Sequence, residues 1–267
     1  FNIGDITFSN DGLKDESCEC YIGGIIGFGY SGLENCYNIG KIDLSSANYV
    51  QSVAGIVAVS LDPTMKYCIN FGDIQVNEGN KVAGIYAEGN CSDIIGCCNY
   101  GNISVDKAVY IGGIACQPAN IQNSCNIGNI SGSGQRVAGI VTITYNDGLS
   151  NVYNSGKIVN YNGNSFAISA WFSGALNNEN KVDFSKVYYL EGCADESFVI
   201  PDIATEVYDA AIMVTEENFI NDEFSNILNN QSGNDCYFTR NYTKLLSESG
   251  LLVGGVIRGE GFNLGVY

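Results

Sequence analysis

Apolar residues in this chain come in short bursts separated by glycine and asparagine. The fullest example is Ile-Gly-Gly-Ile-Ile-Gly at 22–27, followed by Asn-Cys-Tyr-Asn-Ile-Gly-Lys-Ile at 35–42. The bursts do not place apolar residues at i, i+3, i+4 and i+7, the spacing of an amphipathic helix. Short β-branched and aromatic runs bounded by Gly and Asn are typical of strands. The pattern therefore predicts a chain built mainly from short β-strands.

Both halves of this pattern recur up to about residue 161. The Asn-x-Gly-x-Ile half occurs six times, with its asparagines 27 to 36 residues apart, and the apolar-Gly/Ala-Gly-Ile half occurs five times. Repeats of this length indicate a solenoid, a propeller or an array. The first half begins at Asn2, Asn38, Asn70, Asn99, Asn126 and Asn154, and the second is centred on Gly24, Gly55, Gly84, Gly113 and Gly139.

A repeat of this length has room for three short strands and three turns. One strand covers the Cys-Tyr-Asn segment, one follows the motif glycine, and one covers the Val-Ala-Gly-Ile segment. We therefore predict an all-β fold, a parallel β-solenoid of about six coils of about 28 residues. Its coils would stack at a spacing of about 4.8 Å.

Corresponding residues of successive coils should form columns along the solenoid. The motif isoleucines should form an inward column, because the residue before each is always polar and a strand with one buried face alternates in this way. This column is Ile6, Ile42, Ile74, Ile103, Ile130 and Ile158, and the outward residues are Asp5, Lys41, Asp73, Asn102, Asn129 and Lys157.

The recurring spacing of Asn and Gly in the repeat predicts a second set of columns. Asn and Gly two residues apart suit a corner with positive φ, and the stacked Asn amides should form a hydrogen-bonded ladder. The ladder would contain Asn38, Asn70, Asn99, Asn126 and Asn154, with Gly40, Gly72, Gly101, Gly128 and Gly156 beside it. The Gly of Val-Ala-Gly-Ile predicts a close approach between backbones or to a bulky neighbour.

Most of the 11 cysteines follow the repeat. Those two residues before a ladder asparagine are Cys36, Cys68 and Cys97, and those one residue before are Cys98 and Cys125. Later coils place Ser124 and Val152 in the first column, which favours buried free thiols that behave as small apolar side chains. Disulfides between coils and zinc sites are the alternatives. Parallel stacked side chains rarely offer the torsion of a disulfide, and the chain has no His.

Gly-Gly-Ile-Ile-Gly at 23–27 with Asn-Cys-Tyr-Asn-x-Gly-x-Ile at 35–42 resembles the GLUG-motif repeat of bacterial extracellular proteins. The similarity covers residues 1–160, and the copies at Gly55 and Gly84 depart from it by lacking the last Gly. The resemblance implies a bacterial cell-surface or secreted location and a role in adhesion or as a spacer. Some family members carry a metallopeptidase domain. That activity is not carried over, because a chain without His has no His-Glu-x-x-His motif.

Charge and composition limit the partners. A net charge of −17 disfavours nucleic acid and anionic membrane surfaces. No apolar run approaches the 18 residues of a membrane-spanning helix. We interpret the acidity as favouring solubility, with weak Ca²⁺ binding at Asp15-Glu16 or Asp222-Glu223 as the alternative. Because the chain begins within a repeat, we expect a monomeric segment of a longer multidomain protein.

The repeat weakens after residue 160, which predicts a solenoid over 1–192 and a capping region over 193–267. Thr205 to Met213 and Thr215 to Asn229 are predicted as helices, with Thr215 as an N-cap. Leu251 to Ile257 is predicted as a strand. An exposed solenoid end is an edge that invites pairing, so we expect the helices to cap the C-terminal end.

The sequence predicts no catalytic residues, metal site or cofactor. Without His, the serine and cysteine triads are excluded, and no glycine-rich phosphate loop is present. Candidate contacts for a host protein or a neutral glycan are the tyrosines at or near turns, Tyr30, Tyr49, Tyr110, Tyr145 and Tyr161. Alternatively, these tyrosines cover apolar core at coil corners. The other candidate function is a polysaccharide-active β-helix enzyme that uses a carboxylate pair.

Overall fold

The fold is a parallel β-solenoid of about five turns, as predicted. Six Asn-x-Gly-x-Ile copies are separated by five turns, so the number of copies exceeds the number of complete turns by one. This computed structural model describes residues 1–9, 19–30, 32–61, 64–90, 93–117, 120–144, 148–172, 181–183, 185–198, 206–208, 211–219, 224, 226–228, 236–239 and 255–258.

Corresponding strands of successive coils pair in parallel and in register. Strands that begin at the motif isoleucine are Ile6–Thr7, Ile42–Leu44, Ile74–Ala83, Ile103–Gly112, Ile130–Ala138 and Ile158–Asn160. Strands that lead into or leave the Gly-Ile turn are Tyr21–Gly23, Ile26–Gly29, Val50–Ala54, Val57–Ser60, Tyr86–Gly89 and Phe166–Ser169. Strands around the Cys-Tyr-Asn segment are Leu33–Glu34, Tyr37–Asn38, Thr64–Lys66, Ile69–Asn70, Asp93–Ile95, Cys98–Asn99, Asn120–Gln122, Cys125–Asn126 and Leu149–Asn154.

Each coil encloses two separate apolar cores. The chain from Asn38 to Gly55 surrounds one, which we call core A, and the chain from Gly55 to Asn70 surrounds the other, core B. The motif isoleucines form the predicted column in core A, pair in register, and are buried from Ile42 onward. The polar residues before them are exposed or half-buried. The predicted alternation is therefore confirmed.

The predicted asparagine ladder separates the two cores. Each Asn amide donates to the carbonyl oxygen of the Gly two residues later, at 2.9–3.0 Å. The same amide donates to Oδ1 of the Asn in the next coil, at 2.7–2.8 Å. The ladder runs unbroken from Asn2 to Asn154, whose amide donates to Sγ of Cys193 at 3.3 Å.

The glycine of the second motif lies against this ladder. A Cβ atom at Gly55 would collide with the Asn70 side chain and with the carbonyl oxygen of Gly84. The same collisions recur at Gly24, Gly84, Gly113 and Gly139. The two halves of the repeat therefore meet between the cores, at a place we call the waist. This contact gives a physical reason for their joint recurrence, and the predicted close approach is confirmed.

The predicted positive φ at the Asn-x-Gly corner is wrong. None of the ladder asparagines or their glycines has positive φ, and Gly is needed there because a Cβ at Gly72 would meet the carbonyl oxygen of Gly40 in the preceding coil. The left-handed residue lies three positions before the ladder asparagine. These residues are Asn35, Tyr67, Gly96, Asn123 and Asn151, and Lys186 lies three positions before Tyr189, the register partner of Asn154.

The cysteines follow the predicted columns, but not all are free. Cys36, Cys68 and Cys97 are free thiols, and the Cys97 amide donates to Oγ of Ser124 at 3.0 Å. Cys98 and Cys125 form a disulfide, so the expectation of free thiols is wrong for this pair. In-register stacking places their Cα atoms 4.8 Å apart, which is within the range that a disulfide spans.

In the C-terminal region, the helix predicted at 205–213 is wrong and the helix predicted at 215–229 is supported. Within 205–213, Glu206–Tyr208 is a strand paired with Lys181–Asp183, and Ile212–Val214 is a strand paired with Ser185–Leu190. Pairing with the preceding strands satisfies the backbone N–H and C=O groups of these residues. This pairing outweighs their local preference for helix. Glu196–Phe198 also adds to the sheet, beside Phe166–Ser169.

Beyond these strands, the described residues between 216 and 228 are helical. Glu216–Phe219 is a helix, as are residues 224 and 226–228, and the Asn218 amide donates to Oγ1 of Thr215, the predicted N-cap. Phe224 packs on Tyr153 and Tyr188, on the outer side of the last coils. Of the predicted strand at 251–257, Gly255–Arg258 is described and pairs antiparallel with Cys236–Thr239. Among the described residues, no helix has the length and apolar character that crossing a membrane requires.

Candidate functional site

The Gly-Ile turn brings the strands before and after it close together. On its outer side, the small side chains of Ala54, Ala83, Ala87 and Cys116 form a cluster of their own, with Tyr110 packed against it. The space is narrow, since a Cβ at Gly112 would collide with the carbonyl oxygen of Ala115. Larger side chains flank this cluster. Those on the strand before the turn contact those on the strand after it.

These larger side chains form two facing columns, which together we call the outer stripe. One column comes from the strands before the turn, where register partners align Tyr21, Ser52, Lys81, Tyr110 and Arg136. Opposite them, the strands after the turn contribute Phe28, Glu88 and Trp171. Because the column follows the coil stacking, the stripe runs parallel to the solenoid axis.

The middle of the outer stripe is an ion pair. Lys81 Nζ contacts a carboxylate oxygen of Glu88, and Ser52 Oγ donates to the other at 2.7 Å. Lys81 is only 8% exposed although it carries a charge. Burial alone would raise the pKa of Glu88, but the hydrogen bonds from Lys81 and Ser52 outweigh it and hold this pKa below its ordinary value. Glu88 is therefore charged at neutral pH, and its contacts with Lys81 and Ser52 hold it in place.

The C-terminal part of the stripe is a stack of one cation and two aromatic rings. The guanidinium carbon of Arg136 lies 4.4 Å from the centroid of the Trp171 ring and 5.4 Å from that of Tyr110. Cation–π contacts of this kind fix the orientation of the ring. Trp171 nevertheless remains 46% exposed. The stack therefore presents part of an oriented indole to solvent.

The N-terminal part of the stripe is aromatic. The ring of Phe28 lies 5.8 Å from that of Tyr21 and 5.4 Å from that of Tyr30, between centroids. Burial and a hydrogen bond with Glu19 raise the pKa of Tyr21 to about 12. Tyr21 is therefore a neutral hydroxyl at every physiological pH. This end offers apolar rings with a polar edge.

The predicted tyrosines do not all lie on this surface. Tyr30 and Tyr110 belong to the outer stripe. Tyr49 lies at the turn before Val50–Ala54, where its hydroxyl donates to Oε1 of Gln51 at 2.9 Å. Tyr161 follows Ile158–Asn160 and is 73% exposed. Tyr145 lies outside the described residues, as do Asp15-Glu16 and Asp222-Glu223.

Seven residues of the stripe were not predicted from the sequence: Tyr21, Phe28, Ser52, Lys81, Glu88, Arg136 and Trp171. A signal for two of them was present. Lys81 and Arg136 both stand two residues before Ala-Gly, the position that Ser52 occupies in its own copy. A column of variable, bulky residues at one phase of a repeat indicates an outward surface. Their partners Glu88 and Trp171 follow the Gly-Ile turn. They could be predicted only by knowing that this turn is sharp enough to place the two strands opposite each other.

Within the part of the chain that the structure describes, no group of three or more His, Cys, Asp or Glu side chains is placed to hold a metal ion. No protein-family model, curated protein or solved structure matches this chain.

Proposed function

We propose that this chain is a non-catalytic binding region of a bacterial cell-surface or secreted protein, and that its outer stripe binds a neutral glycan. The observation that carries the proposal is Trp171, a large ring left 46% exposed while Arg136 and Tyr110 fix its orientation. An aromatic face held in this way can stack on the apolar face of a sugar ring at little entropic cost.

Charge and shape support a neutral, extended ligand. The chain carries a net charge of −17, which disfavours an acidic polymer. From Tyr21 to Arg136 the stripe spans four coil steps, or roughly 19 Å at the usual strand spacing. Aromatic groups at both ends and the Lys81–Glu88 pair between them offer stacking surfaces and hydrogen-bonding groups along one line. The resemblance to GLUG-motif repeats agrees with an adhesive role.

A glycan array probed with the purified chain tests this proposal. The variant Trp171→Ala should lose binding by about 30-fold or more, because an aromatic side chain that dominates an interface is typically worth about 2 kcal/mol. Arg136→Met should weaken binding less, since it frees the indole without removing it. Tyr161→Ala removes a more exposed ring away from the stripe and should bind like the parent chain. Thermal unfolding of each variant confirms that it is folded.

Two other outcomes would contradict the proposal. Binding that survives Trp171→Ala and is lost in Tyr161→Ala would place the ligand at a different surface. Absence of binding to every glycan would favour the spacer role, in which the stacked coils only hold neighbouring domains apart.

The enzyme alternative has one observation in its favour. The carboxylates of Glu19 and Glu88 both raise the pKa of Tyr21, so two acidic groups lie near one part of the stripe. If they act as a catalytic pair, reducing ends should accumulate when a bound glycan is incubated with the parent chain. Glu88→Gln should abolish that release.

A further inference from the structure

The two ends of the solenoid differ in how well they close the cores. In the first coil, the inward residues Ile6 and Ile22 of core A and Ile25 and Ile26 of core B are only half-buried. Their equivalents one coil later are fully buried, at 0% exposure, namely Ile42, Val53, Ile56 and Val57. Within the described residues, both cores are therefore only partly covered at the N-terminal end.

The C-terminal end is closed by residues that follow the repeat. Val187, Cys193 and Phe198 are part of core B and are at most 6% exposed. Cys193 also accepts the last amide of the asparagine ladder. The strands Glu196–Phe198 and Ile212–Val214 pair with the last coils. This end has no ladder amide left to donate.

The N-terminal end, in contrast, has strands that pair on one side only and a ladder oxygen that accepts no asparagine amide. Within the described residues, Ile6–Thr7, Tyr21–Gly23 and Ile26–Gly29 each pair with the following coil only. Oδ1 of Asn2 accepts the amide of Gly4 at 3.2 Å, whereas every later ladder oxygen accepts an Asn amide. A Cβ at Gly4 would meet nothing closer than Asn2 Oδ1 at 3.9 Å.

We propose that the N-terminal end is an interface for one further β-coil built from the same two motifs. Its asparagine amide would donate to Oδ1 of Asn2, its motif glycine would pass over Gly4, and its apolar residues would cover Ile6, Ile22 and Ile26. The surface is continuous with an established interface, since each internal coil already packs on the next through these same groups.

A second copy of this chain does not fit the interface. Its C-terminal end is closed and lacks the donating amide. Two N-terminal ends facing each other would run antiparallel, and each would present an Asn2 oxygen that accepts only the Gly4 amide, with no asparagine amide to meet it. Only a coil that runs in the same direction and ends its ladder with a free amide satisfies this edge.

Adding such a coil to the full chain tests the proposal. Residues 38–69 can be duplicated ahead of Asn2, so that Ile69 precedes Asn2 as it precedes Asn70. A matched control carries the same 32 residues in scrambled order. We expect the duplicated coil to raise the melting temperature by at least about 2 °C, since each coil in such a stack is stabilised by the neighbours on which it packs. We expect the scrambled extension to leave it unchanged.

Gly4→Ala makes the test specific to stacking. In the parent chain this substitution should leave the melting temperature unchanged, because the space beside Gly4 is open. In the extended chain it should cancel the gain, because the added coil would place a glycine carbonyl where Gly4 Cβ must go, as Gly4 does for Gly40.

Three results would overturn the proposal. The duplicated coil could be digested by protease as fast as the scrambled one. Gly4→Ala could have the same effect in both backgrounds. The parent chain could sediment as a dimer that dissociates when the coil is added, which would assign the end to a second copy.

Discussion

At the scale of single residues, the asparagine ladder is the most demanding feature of the fold. From Asn38 to Asn154, each ladder side chain is completely buried and uses both its donor hydrogens and its oxygen. Buried amides stabilise a structure only when all these groups are paired, and a half-satisfied network costs more than an apolar one. Each coil must therefore supply its asparagine, because a missing one leaves buried groups of its neighbours unpaired between the two cores.

We predict that Asn99→Ala lowers the free energy of unfolding by about 3 kcal/mol, because it leaves groups of three neighbours without a buried partner. These neighbours are Asn70, Gly101 and Asn126. Urea denaturation followed by circular dichroism measures the change. Asn162→Ala removes an exposed asparagine and should shift the free energy by less than about 0.5 kcal/mol. Equal effects of the two substitutions would mean that the ladder contributes little.

The sequence was informative about residues that repeat and less so about residues that do not. The isoleucine column and the asparagine ladder could be predicted because period and polarity fix which side of a strand each residue faces. The positive φ at Asn35, Tyr67 and their equivalents was misplaced, since it falls on different residue types in different coils. The Cys98–Cys125 disulfide was not expected, because column membership alone says nothing about side-chain torsion.

At the scale of elements, the Gly-Ile turn organises both the waist and the outer stripe. It places a glycine against the ladder on the inside and joins two strands through Lys81 and Glu88 on the outside. The sequence predicted a single strand here, which is why the stripe was missed. Local sequence alone also predicted a helix at 205–213, where pairing with the preceding strands makes strands instead.

The Lys81–Glu88 pair should give the fold a specific pH dependence. The pKa of Glu88 is lower in the folded chain than in the unfolded one, so its contribution is complete above the unfolded value of about 4.3 and is lost as the pH falls through the folded value. We predict that Lys81→Met destabilises the chain at pH 7 by up to about 3 kcal/mol, because it leaves a partly buried carboxylate without its cation.

The test is urea denaturation of the parent chain and the variant from pH 7 to pH 3. The two stabilities should converge as the pH falls below the ordinary pKa of a glutamate. Lys157→Met removes an exposed cation from the outward column and should leave the difference from the parent constant and small. A Lys81→Met curve parallel to the parent curve at all pH values would contradict the assignment.

At the scale of the whole molecule, the solenoid is a one-dimensional stack with one open and one closed end. In such stacks the stability of each coil depends on its nearest neighbours, so an end coil with a single neighbour opens first. The half-buried Ile22 and Ile26 of the first coil contrast with the fully buried Val152 and Ile168 near the other end. Opening should therefore begin at the N-terminal end and proceed along the stack.

Hydrogen exchange followed by mass spectrometry tests this order directly. We predict that peptides covering 19–30 exchange at least about tenfold faster than peptides covering 148–160, although both hold paired parallel strands. A tenfold difference corresponds to about 1.4 kcal/mol in the free energy of local opening. Phe224→Ala removes a side chain that packs on Tyr153 and Tyr188, so it should raise the exchange of 148–160 and leave 19–30 unaffected. Uniform protection in the parent chain would mean that the stack opens as one cooperative unit, and that the open end carries no energetic cost.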